Sequence, residues 1–373
     1  MDLLEHQGKA LFARHGIPVP YGTLWPNRPD WDGGYVLKAQ MATGKRGKRG
    51  AIQFADSIAA VEEMAPRLSD LTLDGQRCKG VYVEQRLDIA REIYLAIALD
   101  RDRKSLVILA SPNGGVDIEE TSSGELLRLP IDPLVGLREY HVRAAVKHLD
   151  LSATLEVPVA EALTSLYALV VAEDATLAEI NPLVLTVSGE VYAADAKVTL
   201  DNNAAFRREA LEQMQQDSAD DRSPLETGVA SAGATGIEIN TGGEIMAVVS
   251  GAGLMMATLD LLSERGLSVR GVVDLGGSVL AGGEALGRVF EAVSDANPLI
   301  TFFNAYLHTA LCDELARMLV EAQKIAPLRG RVVIRLKGRN SESGRAMLTE
   351  QGFEVFEDLS AAIEAVTHYK GRS

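Results

Sequence analysis

The sequence predicts an α/β protein in two parts, a mixed α+β first half and a doubly wound, parallel-sheet second half. Three observations predict it. Past Gly243, apolar strand-like runs alternate with helical runs across short glycine or polar turns, the rhythm of parallel βαβ units. Before residue 210 the β segments instead follow one another directly, as in an antiparallel or mixed sheet. Between the two, residues 210–242 are mostly charged or small and polar, with little to bury. The boundaries that follow are a first domain over residues 1–225, a linker over 226–242 and a second domain over 243–373.

In chain order, Leu3, Leu4, Ala10, Leu11 and Phe12 mark one face of a first helix that stops at His15 and Gly16. Residues 17–20 (IPVP) are extended, because each proline biases its predecessor away from helix. A strand, a basic glycine turn and a return strand occupy residues 36–54, and a helix covers 57–68. Strands are expected over 80–85, 92–100 and 105–111, and a glycine turn over 112–120 leads into another. Helical spacing covers 138–149 and 157–173, and strands at 177–185 and 191–197 turn at Ser188 and Gly189. The second half reads as strands at 245–249, 271–274, 299–304, 331–336 and 354–356. The helices between and after them are at 254–265, 284–294, 309–324 and 343–351, with one more at the end.

Composition narrows the function classes. A net charge of -15 argues against broad nucleic-acid or membrane-surface binding. No apolar run is expected to cross a bilayer, and the opening helix has neither a signal-peptide core nor the acid-poor composition of a transit peptide. Cys78 and Cys312 make neither a disulfide framework nor a zinc site, which fits a reducing cytoplasm.

Against that acidic background, the stretch between Gly33 and Ala55 holds five cations and no acid: Lys38, Lys45, Arg46, Lys48 and Arg49. With Gly44, Gly47 and Gly50 in the same turn, it suggests phosphates held by backbone N–H groups and cationic side chains; the competing reading is a solvated hairpin tip. Glu84 and Glu92 stand at neighbouring strand ends. Asn181 and Asp195 lie on neighbouring strands, and such an oxygen-only pair suits Mg²⁺, which keeps water and phosphate oxygens in its shell. Each residue alone also fits a plain turn or a solvated strand end.

Taken together, HQGKALFARHGIPVP, VLKAQ with GKRGKRG, VEQRLDIAREIYLA, SPNGGVDIEE, the DPL of IDPLVG, AEINPLV, DAKVTLDNNAAFR, SGAGLMMATLD, DLGG and VIRLKGRN resemble, nearly end to end, the β subunit of succinate–CoA ligase and its acid–CoA ligase relatives. The resemblance implies an ATP-grasp domain followed by a flavodoxin-like CoA-ligase domain. It implies nucleotide contacts at Lys38, Lys45, Arg46, Gly47, Glu84, Leu87 and Glu92, and Mg²⁺ ligands at Asn181 and Asp195. Pro20 stands where ATP-using members carry proline, so ATP rather than GTP is expected as substrate. Lys45 replaces a family glycine. The resemblance also implies an α subunit that binds CoA and carries a phosphohistidine, in an αβ or (αβ)₂ assembly in the cytoplasm. None of the chain's histidines (His6, His15, His141, His148, His308, His368) stands in a phosphohistidine motif, so no catalytic residue of that kind is expected here.

The likeness thins in the second half. Where succinate-using members show two glycines and an isoleucine, this chain has Leu307, His308 and Thr309; Leu311 replaces an arginine and Ser250 an asparagine, while Asn304, Cys312 and Asp313 match. Ser250, His308, Thr309 and Ala310 are therefore the candidate acid-substrate residues, with Leu307 and His308 expected to fill part of the pocket. Lys337 and Arg339 replace an acid and an asparagine, consistent with a small acid more anionic than succinate or with cations facing solvent. Two other functions remain in view: a stand-alone ATP-grasp carboxylate–amine ligase, and a nucleotide-binding subunit that has lost turnover.

Overall fold

Helix α1 (Glu5–Arg14) ends at His15 and Gly16, the latter at φ +78°, a left-handed conformation that costs glycine little. Its buried face is Glu5, Gly8, Lys9, Leu11 and Phe12. Ala10 is exposed, so the inward stripe carries two charges that a purely apolar reading of this helix leaves out. The computed structural model describes residues 1–41, 49–73, 76–116, 118, 124–207, 222–276 and 282–370, and the chain divides into two units, Met1–Gln215 and Gln216–Ser373.

Among its described residues the first unit holds two larger antiparallel sheets and a separate two-stranded hairpin. Strands β1 (Gly22–Leu24), β2 (Tyr35–Ala39) and β3 (Ile52–Ala55) lead to helix α2 (Ile58–Ser69), whose N-cap Ser57 Oγ accepts from Ala60 N at 3.3 Å. A short hairpin of β4 (Thr72–Leu73) and β5 (Gln76–Arg77) precedes β6 (Val81–Gln85), which completes a sheet ordered β1-β6-β2-β3. Leu37, Ala39 and Val83 of that sheet pack on Val61, Ala65 and Leu68 of α2.

The other sheet takes β7 (Ile89–Asp100), β8 (Ser105–Ser111), β9 (Leu127–Ile131), β10 (Ala175–Thr186), β11 (Val191–Ala193) and β12 (Lys197–Leu200) in the order β11-β10-β7-β8-β9, with β12 also on β10. Helices α3 (Glu139–His148) and α4 (Ala153–Ala172) share its core with α1. By length and composition α4 could cross a membrane, against the expectation that no run here is long enough. In the fold it carries Glu156 and Glu161 and packs Val159, Ala162, Leu163, Leu166, Leu169 and Val170 into that core.

The second unit starts earlier than the sequence predicts. Residues 226–242, read as a linker, contain most of helix α5 (Pro224–Ser231) and strand β13 (Thr235–Glu238). Ser223 Oγ caps Glu226 N while Glu226 Oε2 accepts from Ser223 N, and Pro224 opens the helix. The small residues that suggested nothing to bury permit close approach: a methyl on Gly228 would lie 2.6 Å from Ala292 Cβ.

The remaining elements are β14 (Ile245–Val249), α6 (Ala252–Glu264), β15 (Val269–Asp274), α7 (Gly283–Asp295), β16 (Ile300–Leu307), α8 (Cys312–Ile325), β17 (Arg331–Gly338), α9 (Ser341–Glu350), β18 (Glu354–Phe356) and α10 (Leu359–Lys370). The sheet order is β13-β15-β14-β16-β17-β18, with β13 antiparallel and the rest parallel. Without β13 this is the 2-1-3-4-5 order of flavodoxin-like folds. Met246 and Val248 face one core with α5, α7 and α8, while Ile245, Ala247 and Val249 face another with α6 and α10.

Candidate functional site

Two groups of residues from distant parts of the first unit meet at one backbone segment, residues 193–197. The first is a buried ionic cluster. Lys38, on β2, and Glu84, on the adjoining β6, are 6% and 3% exposed; α1 supplies Glu5 and Lys9, one helical turn apart, at 2% and 1%. Lys38 Nζ donates to Glu5 Oε1 at 2.9 Å and to the Ala194 carbonyl at 2.5 Å, and lies 2.6 Å from Glu84 Oε1. Lys9 Nζ donates to Glu84 Oε2 and, at 2.7 Å, to the same Ala194 carbonyl, and lies 3.0 Å from Glu5 Oε1. Among the described residues each ammonium thus has three oxygen neighbours, as many as it has N–H donors. Burial pushes the Lys38 ammonium toward its neutral form, but Glu5, Glu84 and Asp195 outweigh it and hold its pKa well above the usual lysine value. The Tyr82 hydroxyl, pushed up to about 12 by burial and then by Glu84 and Glu5, stays neutral beside them.

The second group is the predicted metal pair. Antiparallel register pairs Glu179 with Lys197 and Leu183 with Ala193, and Ala194 N donates to Pro182 O at 3.1 Å in the interval between. Counted inward from both ladders, Asn181 and Asp195 fall in that same interval. Asn181 Oδ1 accepts from Gly115 N at 2.8 Å and Asn181 Nδ2 donates to Val116 O at 3.0 Å, which fixes the carboxamide. Asp195 Oδ1 accepts from Ala196 N at 2.8 Å. A methyl on Gly115 would sit 2.6 Å from Glu92 Oε2, so the Glu92 carboxylate lies against the loop that holds Asn181; burial pushes its pKa up. An amide oxygen and a carboxylate, each oriented by backbone, form a hard-oxygen donor set that fits Mg²⁺ with water and phosphate completing the shell.

The structure therefore brings together Lys38, Glu84 and Asp195, and separately Asn181 and Glu92, with register joining the two groups. Leu87 sits half-buried in the connection from β6 to β7, and its side chain brings no polar atom to the cluster. Lys45, Arg46 and Gly47 lie outside the described residues.

In the second unit β16 runs three residues past its predicted end, because pairing with β17 continues to Leu307 opposite Gly338. Leu307 is consequently a core residue, 5% exposed, and does not fill a surface pocket as expected. His308 is exposed and packs edge-on against Tyr306 at 4.5 Å. The Tyr306 ring lies 5.3 Å from the guanidinium of Arg335, and Ser250 Oγ accepts from Tyr306 N at 3.4 Å. Arg335 Nη1 in turn donates to Asn304 Oδ1 at 3.3 Å. Thr309 and Ala310 lead into α8, where Cys312 N donates to Arg339 O at 2.9 Å and Asp313 and Glu314 occupy the first turn. An anion at that helix end would meet two carboxylates, which offset the pull of the helix dipole.

A family model described as an ATP-grasp domain matches residues 2–185, and one described as CoA-ligase matches residues 248–368. The ADP-forming succinate–CoA ligase β subunit of Desulfatibacillum aliphaticivorans is 34% identical across 98% of this chain and 99% of its own length. This chain belongs to the succinate–CoA ligase β-subunit family. Another member of that family, from Rubrobacter xylanophilus, is 37% identical across 94% and 93% of the two chains. Among solved structures, ATP citrate lyase from Methanothrix soehngenii in complex with citrate and coenzyme A superposes with a TM-score of 0.70 at 18% identity, covering 95% of each chain, a likeness of fold. For this β-subunit family member, the sequence reading missed Glu5 and Lys9. Their signal was present: a Glu and a Lys at i and i+4 in line with Phe12, on the face that packs inward.

Proposed function

We propose that this chain is the nucleotide-binding β subunit of an ADP-forming acid–CoA ligase. With an α subunit that binds CoA and carries a phosphohistidine, it catalyses ATP + acid + CoA ⇌ ADP + phosphate + acyl-CoA. The observation that carries this reading is that the two ladders of β10 bring Asn181 and Asp195 to one interval, with Asp195 in the electrostatic reach of Lys38. When bound, Mg²⁺ would neutralise phosphate charge and align the transferring group. Asn181 and Asp195 would hold it, and Lys38, charged at any physiological pH, would add a positive field. Direct contact between Lys38 and a phosphate requires Glu5 or Glu84 to give up its hold, since the ammonium's donors are engaged. Lys45, Arg46, Gly47, Glu84, Leu87 and Glu92 complete the proposed nucleotide contacts.

The acid is proposed to differ from succinate in head group or size and to meet Ser250, His308, Thr309 and Ala310. The His308–Tyr306 aromatic pair in front of the Arg335 guanidinium supports that reading, against the two carboxylates in the first turn of α8. Calorimetry on the full chain tests the nucleotide half: Asp195→Asn should weaken Mg-ATP binding about tenfold or more, and unchanged affinity would refute it. Turnover of the reconstituted complex across small dicarboxylates, hydroxy acids and tricarboxylates tests the acid, and a clear preference for succinate would remove that part.

A further inference from the structure

Lys9 belongs to neither the proposed metal pair nor the proposed nucleotide contacts, yet it is among the most completely buried large side chains described. Its three oxygen neighbours are Glu5, Glu84 and the Ala194 carbonyl. That carbonyl receives both lysines, at 2.7 Å from Lys9 and 2.5 Å from Lys38, which engages both of its lone pairs. The carbonyl carbon of residue 194 and the nitrogen of residue 195 form one planar unit, so fixing the oxygen fixes the plane from which Asp195 departs. Ala194 N, donating to Pro182 O, anchors the preceding peptide beside Asn181. Helix α1 is itself held against this segment: a methyl on Gly8 would lie 3.1 Å from Ala196 Cβ. Charge points the same way. Glu5 and Glu84 each pair with both lysines, so loss of Lys9 would take a cation from both carboxylates at once.

We propose that Lys9 is a positioning residue for the metal–nucleotide site. With Lys38 it clamps the 194–195 peptide so that the Asp195 carboxylate stays in the interval it shares with Asn181. This rests on the reading of Asn181 and Asp195 as the magnesium pair, and adds a residue that touches neither metal nor nucleotide.

The test is calorimetric titration of ATP into the full chain at varied Mg²⁺ and, separately, in EDTA. The proteins compared are wild type, Lys9→Met, the charge-matched Lys9→Met/Glu5→Gln, and Asp195→Asn as reference. Circular dichroism checks that each is folded. In both Lys9 variants the Mg²⁺ concentration for half-maximal ATP binding should rise about tenfold, as for loss of an outer-shell partner, while affinity in EDTA changes by less than about twofold. The double variant should recover thermal stability without recovering the magnesium response. An unchanged magnesium requirement overturns the proposal, as does an equal loss with and without metal. If neither Lys9 variant folds, the residue is a strut and the proposal fails. Failure of the underlying reading is distinguishable: Asp195→Asn would then bind ATP with the magnesium dependence of wild type.

Discussion

Replacing Gly114 with alanine should cost more stability than replacing Gly115, although of the two it is Gly115 that has a positive φ. At Gly115, φ +69° places any L side chain in a conformation costing roughly 1–2 kcal/mol. The new methyl would sit 2.6 Å from Glu92 Oε2, but that atom ends a side chain that can rotate away, so the steric part is small. At Gly114 the methyl would lie 2.4 Å from Ile93 O, 2.5 Å from Ile93 C and 2.8 Å from Ile93 N. Those atoms are main chain of β7, where Ile93 pairs with Leu183 of β10 and the next residue, Tyr94, pairs with Ser111 of β8, so they cannot retreat. Overpacking of this kind costs about 1–3 kcal/mol. Loss of the Gly114 N–Glu92 O hydrogen bond, 3.0 Å long, adds about 1 kcal/mol. The expected totals are therefore about 3 kcal/mol for Gly114→Ala and about 1–2 kcal/mol for Gly115→Ala. Urea unfolding of the full chain, followed by circular dichroism, measures both. A larger loss at Gly115 would refute the premise that fixed main chain, rather than backbone conformation, governs this loop.

Two further outcomes are expected. Glu92→Gln should be more stable than wild type at neutral pH and indistinguishable from it near pH 4. A carboxyl whose folded pKa is raised contributes stability below its unfolded value, near 4.5, and loses it as pH climbs through the folded value; glutamine removes that loss. Urea midpoints across pH 4–8 check the slope. Ser223→Ala removes the cap of α5 and should destabilise the second unit by about 1 kcal/mol in thermal or urea unfolding. No effect would mean that the Ser223 cap contributes nothing to the stability of that unit.

The parallel half of the fold was legible because its strands are buried on both faces and read as continuous apolar runs, as in Ile245–Val249. Residues 226–242 were misread for a physical reason. Gly228 and Gly236 look like linker composition, yet each is small because Ala292 or Val229 stands where a side chain would go, and sequence carries no record of the neighbour. The capping signal Ser223-Pro224-Leu225-Glu226 was readable and outweighed by composition. At the site, Lys38, Glu84, Asn181 and Asp195 could be named from residue type and strand position. Glu5 and Lys9 could not be assigned a task, since charge on an inward helical face has meaning only once its partners on β6 and beside β11 are known. The end of β16 was set too early because Tyr306 and Leu307 owe their strand conformation to pairing with Lys337 and Gly338, a long-range contact.

The double reception of two lysines by one carbonyl has a practical corollary. An alanine scan passes over residue 194, which is alanine already, and most replacements there would keep the oxygen in place. What must be preserved in any redesign of this stretch is the path of the main chain, so swapping in a loop of different length should do harm that no single-letter substitution reveals.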